Sequence, residues 1–180
     1  MLDLFSKIIR TKKTVISTEM LGCGDVDMQE IGNRLTVKIR QLFNGSLAIR
    51  QVDAGSDNAA EQELIALSNA YYDAERFGIH FVASPKHADM LMVTGPVTRN
   101  MREAVIHAYE STPDPKIVVA VGDDAINGGI YKGSYAIVGG VSDVIPVDYN
   151  IPGDPPSPRD ILCHLLHILD TEDVRRANKK

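Results

Sequence analysis

Two short runs of consecutive apolar residues constrain the fold of this chain most strongly. The run MLMVT occupies Met90–Thr94, and the run KIVVAVG occupies residues 116–122. A strand that is apolar on nearly every residue is buried on both faces, which is typical of a parallel sheet covered by helices. Both runs are therefore predicted to be central strands of such a sheet.

Helix and strand patterns alternate along the rest of the chain, which indicates βαβ units. Helices are predicted at residues 27–43, 59–69, 98–110 and 158–169, and further strands at 46–53, 79–83, 136–138 and 144–147. We expect one α/β domain of the flavodoxin-like kind, a mainly parallel sheet flanked by helices. Loops leave its strands at Ala54, Gly95, Gly122 and Pro152, and ligands of such sheets sit beyond the carboxyl ends of the strands.

Composition narrows the class of protein. The chain has 180 residues, 44% of them apolar, which suits one globular domain. Its net charge of −5 argues against a nucleic-acid-binding surface, which needs a basic stripe. We expect a domain over residues 25–170, preceded by an N-terminal segment 1–24 and followed by a basic tail 171–180, of which the final RRANKK is expected to be disordered.

The N-terminal segment and the cysteines bear on location. MLDLFSKIIRTKK lacks the long apolar core and cleavage site of a secretory signal, and no apolar run approaches the roughly 20 residues of a membrane span. The segment is either a short amphipathic helix on a membrane or a terminal helix docked on a partner. The two cysteines, Cys23 and Cys163, have no CxxC partner, which indicates a reducing cytoplasm rather than a disulfide scaffold or a metal site.

Four blocks of sequence resemble one family of redox subunits in their order and spacing. They are VDAGSDNAAEQEL, YYDAERFGIHFVASPKHADMLMVTGPVTRNM, KIVVAVGDDAINGG and PVDYNIPGDPPSP. Together they resemble the small subunit of membrane-bound nickel–iron hydrogenases and formate hydrogenlyases, and the related 20 kDa subunit of NADH:quinone oxidoreductase. The resemblance implies one 4Fe–4S cluster held by four cysteines, a large-subunit partner and membrane-arm subunits.

The chain departs from that family at the cluster ligands. The cysteine positions are Asp57, Ala60, Asp124 and Asp154, with the Glu that the first loop implies at Glu61. Iron–sulfur clusters prefer soft thiolate ligands, whereas a carboxylate is a hard oxygen donor and a methyl group donates nothing. The resemblance thus implies a cofactor that the residues present are not expected to bind, so no cofactor is expected.

Three alternatives account for the aspartates. If the loops converge, carboxylates roughly 5 Å apart repel one another by about 3 kcal/mol at an effective dielectric near 20. A divalent cation such as Mg²⁺ or Ca²⁺ at Asp57, Asp124 and Asp154 would offset this repulsion, and so would a shared proton. Alternatively, each aspartate accepts hydrogen bonds from its own loop backbone, in place of the cluster sulfur.

Several other residues invite a functional interpretation. His87 is either catalytic or a loop histidine packed beneath the site, and Arg99 and Arg102 either face an acidic partner or lie on a solvated helix face. The run NGG at residues 127–129 lacks the lysine and the spacing of a phosphate-binding loop. His164 and His167 share a helix face, as packing or surface residues more often than as metal ligands.

Three functions remain open at this point. The chain is a subunit of a membrane-associated, respiratory-type or hydrogenase-like complex on the cytoplasmic side, without its own cluster and with a structural or coupling role and no catalytic site of its own. Alternatively, it is an active electron-transfer subunit whose cluster has atypical ligands, or an Asp-lined cation-binding module. Replacement of natural cysteines in the laboratory would produce the same pattern.

Overall fold

A computed structural model describes residues 27–177, and residues 1–26 and 178–180 lie outside the described part. The predictions for the N-terminal segment and Cys23 therefore fall on residues that are not described. The helices are α1 (Met28–Phe43), α2 (Ala59–Ala66), α3 (Arg102–Ser111), α4 (Asp123–Asn127) and α5 (Pro158–Ala177). The strands are β1 (Leu47–Asp53), β2 (Ile79–Phe81), β3 (Met90–Thr94), β4 (Val97–Thr98), β5 (Ile117–Val121), β6 (Ile137–Gly139) and β7 (Tyr149–Ile151).

The predicted parallel sheet is confirmed. Five strands lie in the order β2-β1-β3-β5-β7, and every neighbouring pair is parallel. The central strands β3 and β5 are buried at every residue, as their apolar runs predict. The short strands β4 and β6 form a separate antiparallel pair.

Two apolar clusters cover the two faces of the sheet, because alternate residues of a strand point to opposite sides. Met90 and Met92 of β3 belong to the cluster that α1, α2 and α5 cover. Leu91 and Val93 belong to the other cluster, with Val105 of α3. The described residues therefore form a three-layer α/β structure. Its two apolar clusters lie between the sheet and the helices, and the loops at the strand ends are available to form a site.

The ends of α1 follow from its sequence. Asp27 adopts an extended conformation and its carboxylate accepts a hydrogen bond from the N–H of Gln29, which caps the helix. Asn44 takes the left-handed conformation with φ of 55°, which ends the helix as the Asn-Gly pair predicts. The predicted start and end of this helix are confirmed.

Three predictions differ from the structure. The helix predicted at 98–110 begins only at Arg102, because Val97 and Thr98 pair with β6. Residues 144–147 are not a strand, and the edge strand is instead Tyr149–Ile151. The last helix was predicted to end at Leu169 but runs through Ala177, so disorder is wrong for residues 175–177, and Lys38 of α1 contacts Asp173 at 2.8 Å.

In residues 27–177, no helix is both long enough and apolar enough to cross a bilayer.

Candidate functional site

The four predicted ligand positions meet in one pocket at the carboxyl edge of the parallel sheet. The loops that follow β1, β3, β5 and β7 form its wall, as the topology predicts. The lining residues are Ser56, Asp57, Ala59, Ala60, Gly95, Val121, Gly122, Asp123, Asp124, Gly153, Asp154 and Pro155. Ala60 is buried, Asp124 is half-buried, and Asp57 and Asp154 are exposed.

The first loop is held in shape by its own side chains. Asp53, at the end of β1, accepts hydrogen bonds from the N–H groups of Gly55 and Ser56 at 2.7 and 2.8 Å. Asp57 accepts one from the N–H of Ala59 at 3.0 Å, and α2 begins at that residue. Asp57 therefore satisfies a donor of its own loop, which is the third of the alternatives open from the sequence.

Asp124 does not cap a helix, although it lies next to the start of α4. Gly122 is the residue that caps α4, and Asp124 lies within the first turn. Its carboxylate lies against Gly129 and faces the N–H of Ile130, which lowers its pKa. The segment that follows α4 therefore packs against the carboxylate of Asp124.

The net effect of the surroundings on Asp124 is nevertheless to raise its pKa above the usual range. Burial is the largest cause, because it penalises the charged carboxylate, and the negative charges of Asp154 and Asp57 add to it. The influence of both aspartates on the pKa shows that the three carboxylates share one electrostatic environment. A raised pKa favours retention of a proton, as the second alternative, a shared proton, requires.

Tyr131 is a member of the site that the sequence did not indicate. The charge of Asp57 is the largest cause of a raised pKa of the Tyr131 hydroxyl, and Asp124 and Asp154 contribute in the same direction. Tyr131 ends a short 3-10 turn, Gly129–Tyr131, directly after α4. Its only signal in the sequence was its place after the Asn-Gly-Gly run, which lacks the lysine and the spacing of a phosphate-binding loop.

A buried carboxylate lies directly behind the pocket. Glu61 is 7% exposed, and its two oxygens accept hydrogen bonds from the hydroxyls of Ser56 and Thr94. Ser56 belongs to the first loop, and Thr94 is the last residue of β3. Glu61 therefore joins the loop after β1 to the end of β3 from the side of α2.

The third and fourth loops are joined to each other through Asp123 and Gly153. The N–H of Asp123 donates to the carbonyl oxygen of Gly153 at 2.8 Å, and the N–H of Gly153 donates to the Asp123 carboxylate at 3.1 Å. This reciprocal pair brings Asp124 and Asp154 to the same side of the pocket. Asp123 was not among the predicted site residues.

Close backbone contact explains the glycine at the second loop. Gly95 follows β3 with φ of +71°, and a Cβ atom there would lie 2.3–2.5 Å from atoms of Ser56. Only glycine allows the first and second loops to approach so closely.

The residues of the pocket do not fit a 4Fe–4S cluster. Thiolates are the usual ligands of such clusters, and the four positions supply three carboxylates and a methyl group. The cavity between them has a volume of about 10 Å³, close to the minimum that one water molecule needs. Within the described part of the chain, no group of three or more His, Cys, Asp or Glu side chains is arranged to hold a metal ion. A divalent cation at Asp57, Asp124 and Asp154 therefore remains a prediction.

The remaining candidates lie away from the pocket or in ordinary surroundings. His87 is exposed and precedes β3, at the amino edge of the sheet and away from the pocket, so its predicted place beneath the site is wrong. Arg102 pairs with its neighbour Glu103 at 2.8 Å on the solvated surface of α3, and Arg99 is exposed. Nδ1 of His164 contacts the carbonyl oxygen of Asp160 at 2.8 Å.

Cys163 is buried on the inner face of α5 and is disulfide-bonded, so it is not the reduced cysteine that the sequence predicted.

Residues 58–168, more than half of the chain, match the NADH ubiquinone oxidoreductase 20 kDa subunit family. The chain belongs to this family. The matched segment contains Ala60, Asp124 and Asp154, so the family assignment and the aspartate pocket concern the same part of the fold.

Relatives within the family include subunits of hydrogen-metabolising complexes. An uncharacterized protein of Methanocaldococcus jannaschii is 44% identical over 131 residues, covering 72% of this chain and 88% of that protein. A probable membrane-bound hydrogenase subunit of Pyrococcus furiosus is 46% identical over 140 residues, covering 76% of this chain and 84% of that protein. Formate hydrogenlyase subunit 7 of Escherichia coli is 46% identical over 113 residues, but the match covers 63% of this chain and only 44% of that protein.

Solved structures support the same fold. A chain of the membrane-bound sulfane sulfur reductase, an archaeal respiratory membrane complex, is 32% identical with a TM-score of 0.61, covering 81% of this chain and 77% of that one. A chain of an NAD⁺-reducing nickel–iron hydrogenase has a TM-score of 0.54 over 70% of this chain and 92% of that one. At 18% identity the second likeness shows the fold alone.

Proposed function

We propose that this chain is a subunit of a membrane-associated oxidoreductase complex of the hydrogenase or respiratory type. The support is that its relatives are subunits of a membrane-bound hydrogenase and of formate hydrogenlyase, and that a structural relative belongs to a respiratory membrane complex. Its partners would be a large-subunit homologue and membrane-arm subunits. The chain would lie at the cytoplasmic side of the membrane, held there by those partners.

The subunit is proposed to work without a 4Fe–4S cluster of its own. One observation supports this proposal: the four positions at which the family resemblance implies thiolates line a single pocket, and they hold Asp57, Ala60, Asp124 and Asp154. The surrounding loops are closed by their own hydrogen bonds, such as the pair between Asp123 and Gly153. A structural or coupling role requires only that these loops stay folded, whereas electron transfer requires a redox centre.

The proposal is tested on the complex purified from membranes through an affinity tag on this chain. We expect the large-subunit homologue and membrane-arm subunits to co-purify in fixed stoichiometry. Iron, acid-labile sulfide and EPR signals of the complex are then compared with those of the isolated full-length chain. The isolated chain is expected to contain no stoichiometric iron. About four irons and four sulfides per chain, with a cubane EPR signal, would contradict a cluster-free subunit and favour the electron-transfer alternative.

A gain-of-function variant makes the test sharper. D57C/A60C/D124C/D154C restores four thiolates at the four converging positions, and anaerobic reconstitution with iron and sulfide is expected to load about one cubane per chain. The matched control D57S/A60S/D124S/D154S removes the carboxylates without supplying thiolates and is expected to stay colourless. A calorimetric titration of the wild type with Mg²⁺ and Ca²⁺, repeated with Asp124→Asn, addresses the cation-binding alternative.

A further inference from the structure

Cys163 forms a disulfide bond, although no CxxC motif occurs in the sequence. Its side chain is 5% exposed and belongs to the apolar cluster that α5 shares with α1 and α2. The whole chain has two cysteines, and the other one, Cys23, lies before α1 and outside the described residues. Within one chain, Cys23 is therefore the only partner for Cys163.

The packing of α1 on α5 shows which end of each helix lies next to the other. Lys38 of α1 contacts Asp173 of α5 at 2.8 Å, and about one turn further along both helices the carbonyl oxygen of Leu42 accepts a hydrogen bond from Arg176 at 2.8 Å. The two helices therefore run side by side in the same direction, and their residues keep a nearly constant register.

This register brings the start of α1 to the level of Cys163. Counted back ten residues along both helices from the Lys38 contact, Met28 lies level with Cys163, and it packs against the same apolar cluster. Cys23 precedes the capping residue Asp27 by four residues, which span at most about 14 Å. Because a disulfide joins Cα atoms about 4.4–6.8 Å apart, Cys23 can reach Cys163 while α1 stays folded.

We propose that Cys23 and Cys163 form a disulfide that links the N-terminal segment to α5, and that a dithiol reductant opens this link. The segment begins with MLDLFSKIIRTKK, which the sequence predicts to contact a membrane or a partner. Disulfides in a reducing cytoplasm are usually transient or redox-sensing. The oxidised chain holds the segment against α5, and the reduced chain releases it. The link lies within one chain and does not depend on the proposed function.

The opening reaction is a thiol–disulfide exchange. Because the Cys163 sulfur is buried, one thiolate of the dithiol attacks the sulfur of Cys23, and Cys163 leaves as a thiolate that takes up a proton. The second thiolate of the dithiol then attacks the mixed disulfide, and Cys23 leaves and is protonated in turn. Two electrons pass from the dithiol, which becomes a disulfide, to the two cysteines. A disulfide oxidant reforms the link by the reverse steps.

Peptide mapping of the full-length chain tests the pairing. The chain is purified with an alkylating reagent present from lysis onwards, so that thiols are not oxidised during handling. Trypsin places the two cysteines in different peptides, residues 14–34 and 160–175. We expect these peptides to be joined before treatment with dithiothreitol and separate after it. Two alkylated cysteines in the native chain, or a Cys163 peptide joined to that of a second copy, would overturn the proposal.

Thermal unfolding tests whether the link stabilises the chain. Dithiothreitol is expected to lower the unfolding midpoint of the wild type by at least about 5 °C, because the bond closes a long loop in the unfolded chain. Cys23→Ser is expected to unfold like the reduced wild type, with or without dithiothreitol. Cys163→Ala also removes a buried side chain, and it is expected to be equally insensitive to the reagent. A wild-type midpoint that does not respond to dithiothreitol would contradict the link.

Hydrogen exchange tests the release of the segment. Amides of the N-terminal segment are expected to exchange at least tenfold faster in the reduced wild type and in Cys23→Ser, whereas those of the central strands β3 and β5 serve as the control and stay unchanged. Unchanged exchange in the segment, or equal acceleration in the segment and the strands, would overturn its redox-dependent release. These measurements require neither partner subunits nor iron, so their failure is distinct from failure of the proposed function.

Discussion

The hydroxyl of Thr94, the last residue of β3, donates a hydrogen bond to the carboxylate of Glu61 on α2. Both side chains are buried, and the second carboxylate oxygen accepts from Ser56. This contact joins the central strand to the helix that carries Ala60. It therefore holds the first loop of the pocket in place without any ligand.

Removing the Thr94 hydroxyl is expected to destabilise the chain clearly. Thr94→Val keeps the shape of the side chain but leaves a buried carboxylate oxygen without its donor, and hydrogen bonds to charged groups contribute about 1.5–3 kcal/mol. Thr112→Val is the matched control, because Thr112 is equally buried but donates to the neutral carbonyl oxygen of Ala108. Its expected cost is about 0.5–1.5 kcal/mol. Denaturant unfolding measures both, and equal losses would show that Glu61 does not depend on Thr94.

A methyl group at Gly129 is expected to disturb the pocket. Gly129 has φ of +48°, and a Cβ atom there would lie 1.6 Å from an oxygen of Asp124. Gly133→Ala is the control, because Gly133 also has a positive φ but has no atom within 4 Å of the new Cβ. Each backbone penalty is about 1–2 kcal/mol, and the clash is expected to add about 1–3 kcal/mol for Gly129→Ala alone. Similar unfolding free energies of the two variants would contradict this contact.

The raised pKa of Asp124 predicts a pH dependence of stability. In the unfolded chain this carboxyl releases its proton near its ordinary pKa of 3.8, and in the folded chain it does so at higher pH. Between these two pKa values the native state holds more protons, so the free energy of unfolding falls as pH rises through this window, and the loss is complete above the folded pKa. Asp124→Asn removes this part of the pH dependence, which denaturation at a series of pH values measures.

The cause of that shift can be tested separately. Asp154→Asn removes one of the three nearby charges that raise the Asp124 pKa and is expected to lower it towards its ordinary value, while the contribution of burial remains. The control Asp114→Asn changes an exposed carboxylate before β5, at the opposite edge of the sheet. Carboxyl carbon NMR titration gives the pKa in each variant. An unchanged value in Asp154→Asn would show that the two carboxylates are farther apart than the structure places them.

The last turns of α5 are expected to stabilise the domain. Ending the chain at Asp170 removes the contact of Lys38 with Asp173, the hydrogen bond of Tyr149 to Glu172 at 2.7 Å, and the hydrogen bond of Arg176 to the carbonyl oxygen of Leu42. The hydrogen bond between the half-buried Tyr149 hydroxyl and the Glu172 carboxylate, together with the two other contacts, gives an expected loss of about 2–5 kcal/mol.

A chain that lacks only residues 178–180 is the control for the truncation and is expected to unfold like the wild type. If the chain that ends at Asp170 were as stable as the wild type, the residues of α5 beyond Leu169 would not contribute to the free energy of unfolding, and the domain would end where the sequence predicted.

The sequence predicted the sheet best where burial alone determines the strand. Met90–Thr94 was predicted with the bounds that the structure shows, because four consecutive apolar residues and a threonine between turns are typical of a strand buried on both faces. Tyr149–Ile151 was missed, because this edge strand is short and its residues alternate in burial with a polar Asn150. The apolar residues 144–147 look more like a strand than the true one, but they pack around the 3-10 turn Val141–Asp143.

The end of the last helix shows a different limit. Beyond Leu169 the sequence is charged and reads as a solvated tail, and tertiary contacts decide the outcome. Asp173 meets Lys38, which is 135 residues away in the sequence. Such long-range pairs leave no local pattern.

The four ligand positions were predicted from the resemblance, and their convergence is confirmed by the pocket that they line. The residues that hold the pocket closed were not predicted. Asp53 accepts hydrogen bonds from N–H groups of its own loop, whereas Asp123 and Tyr131 act on groups of other turns. Only the folded chain reveals these contacts, because the residues that make them are common in loops generally.

The two apolar clusters that build the three layers include none of Asp57, Ala60, Asp124 and Asp154. The packing of these two clusters therefore does not involve the side chains at those four positions. The apolar packing that builds the scaffold is thus separate from the chemistry of the pocket, so the fold alone does not indicate whether a member of this family transfers electrons.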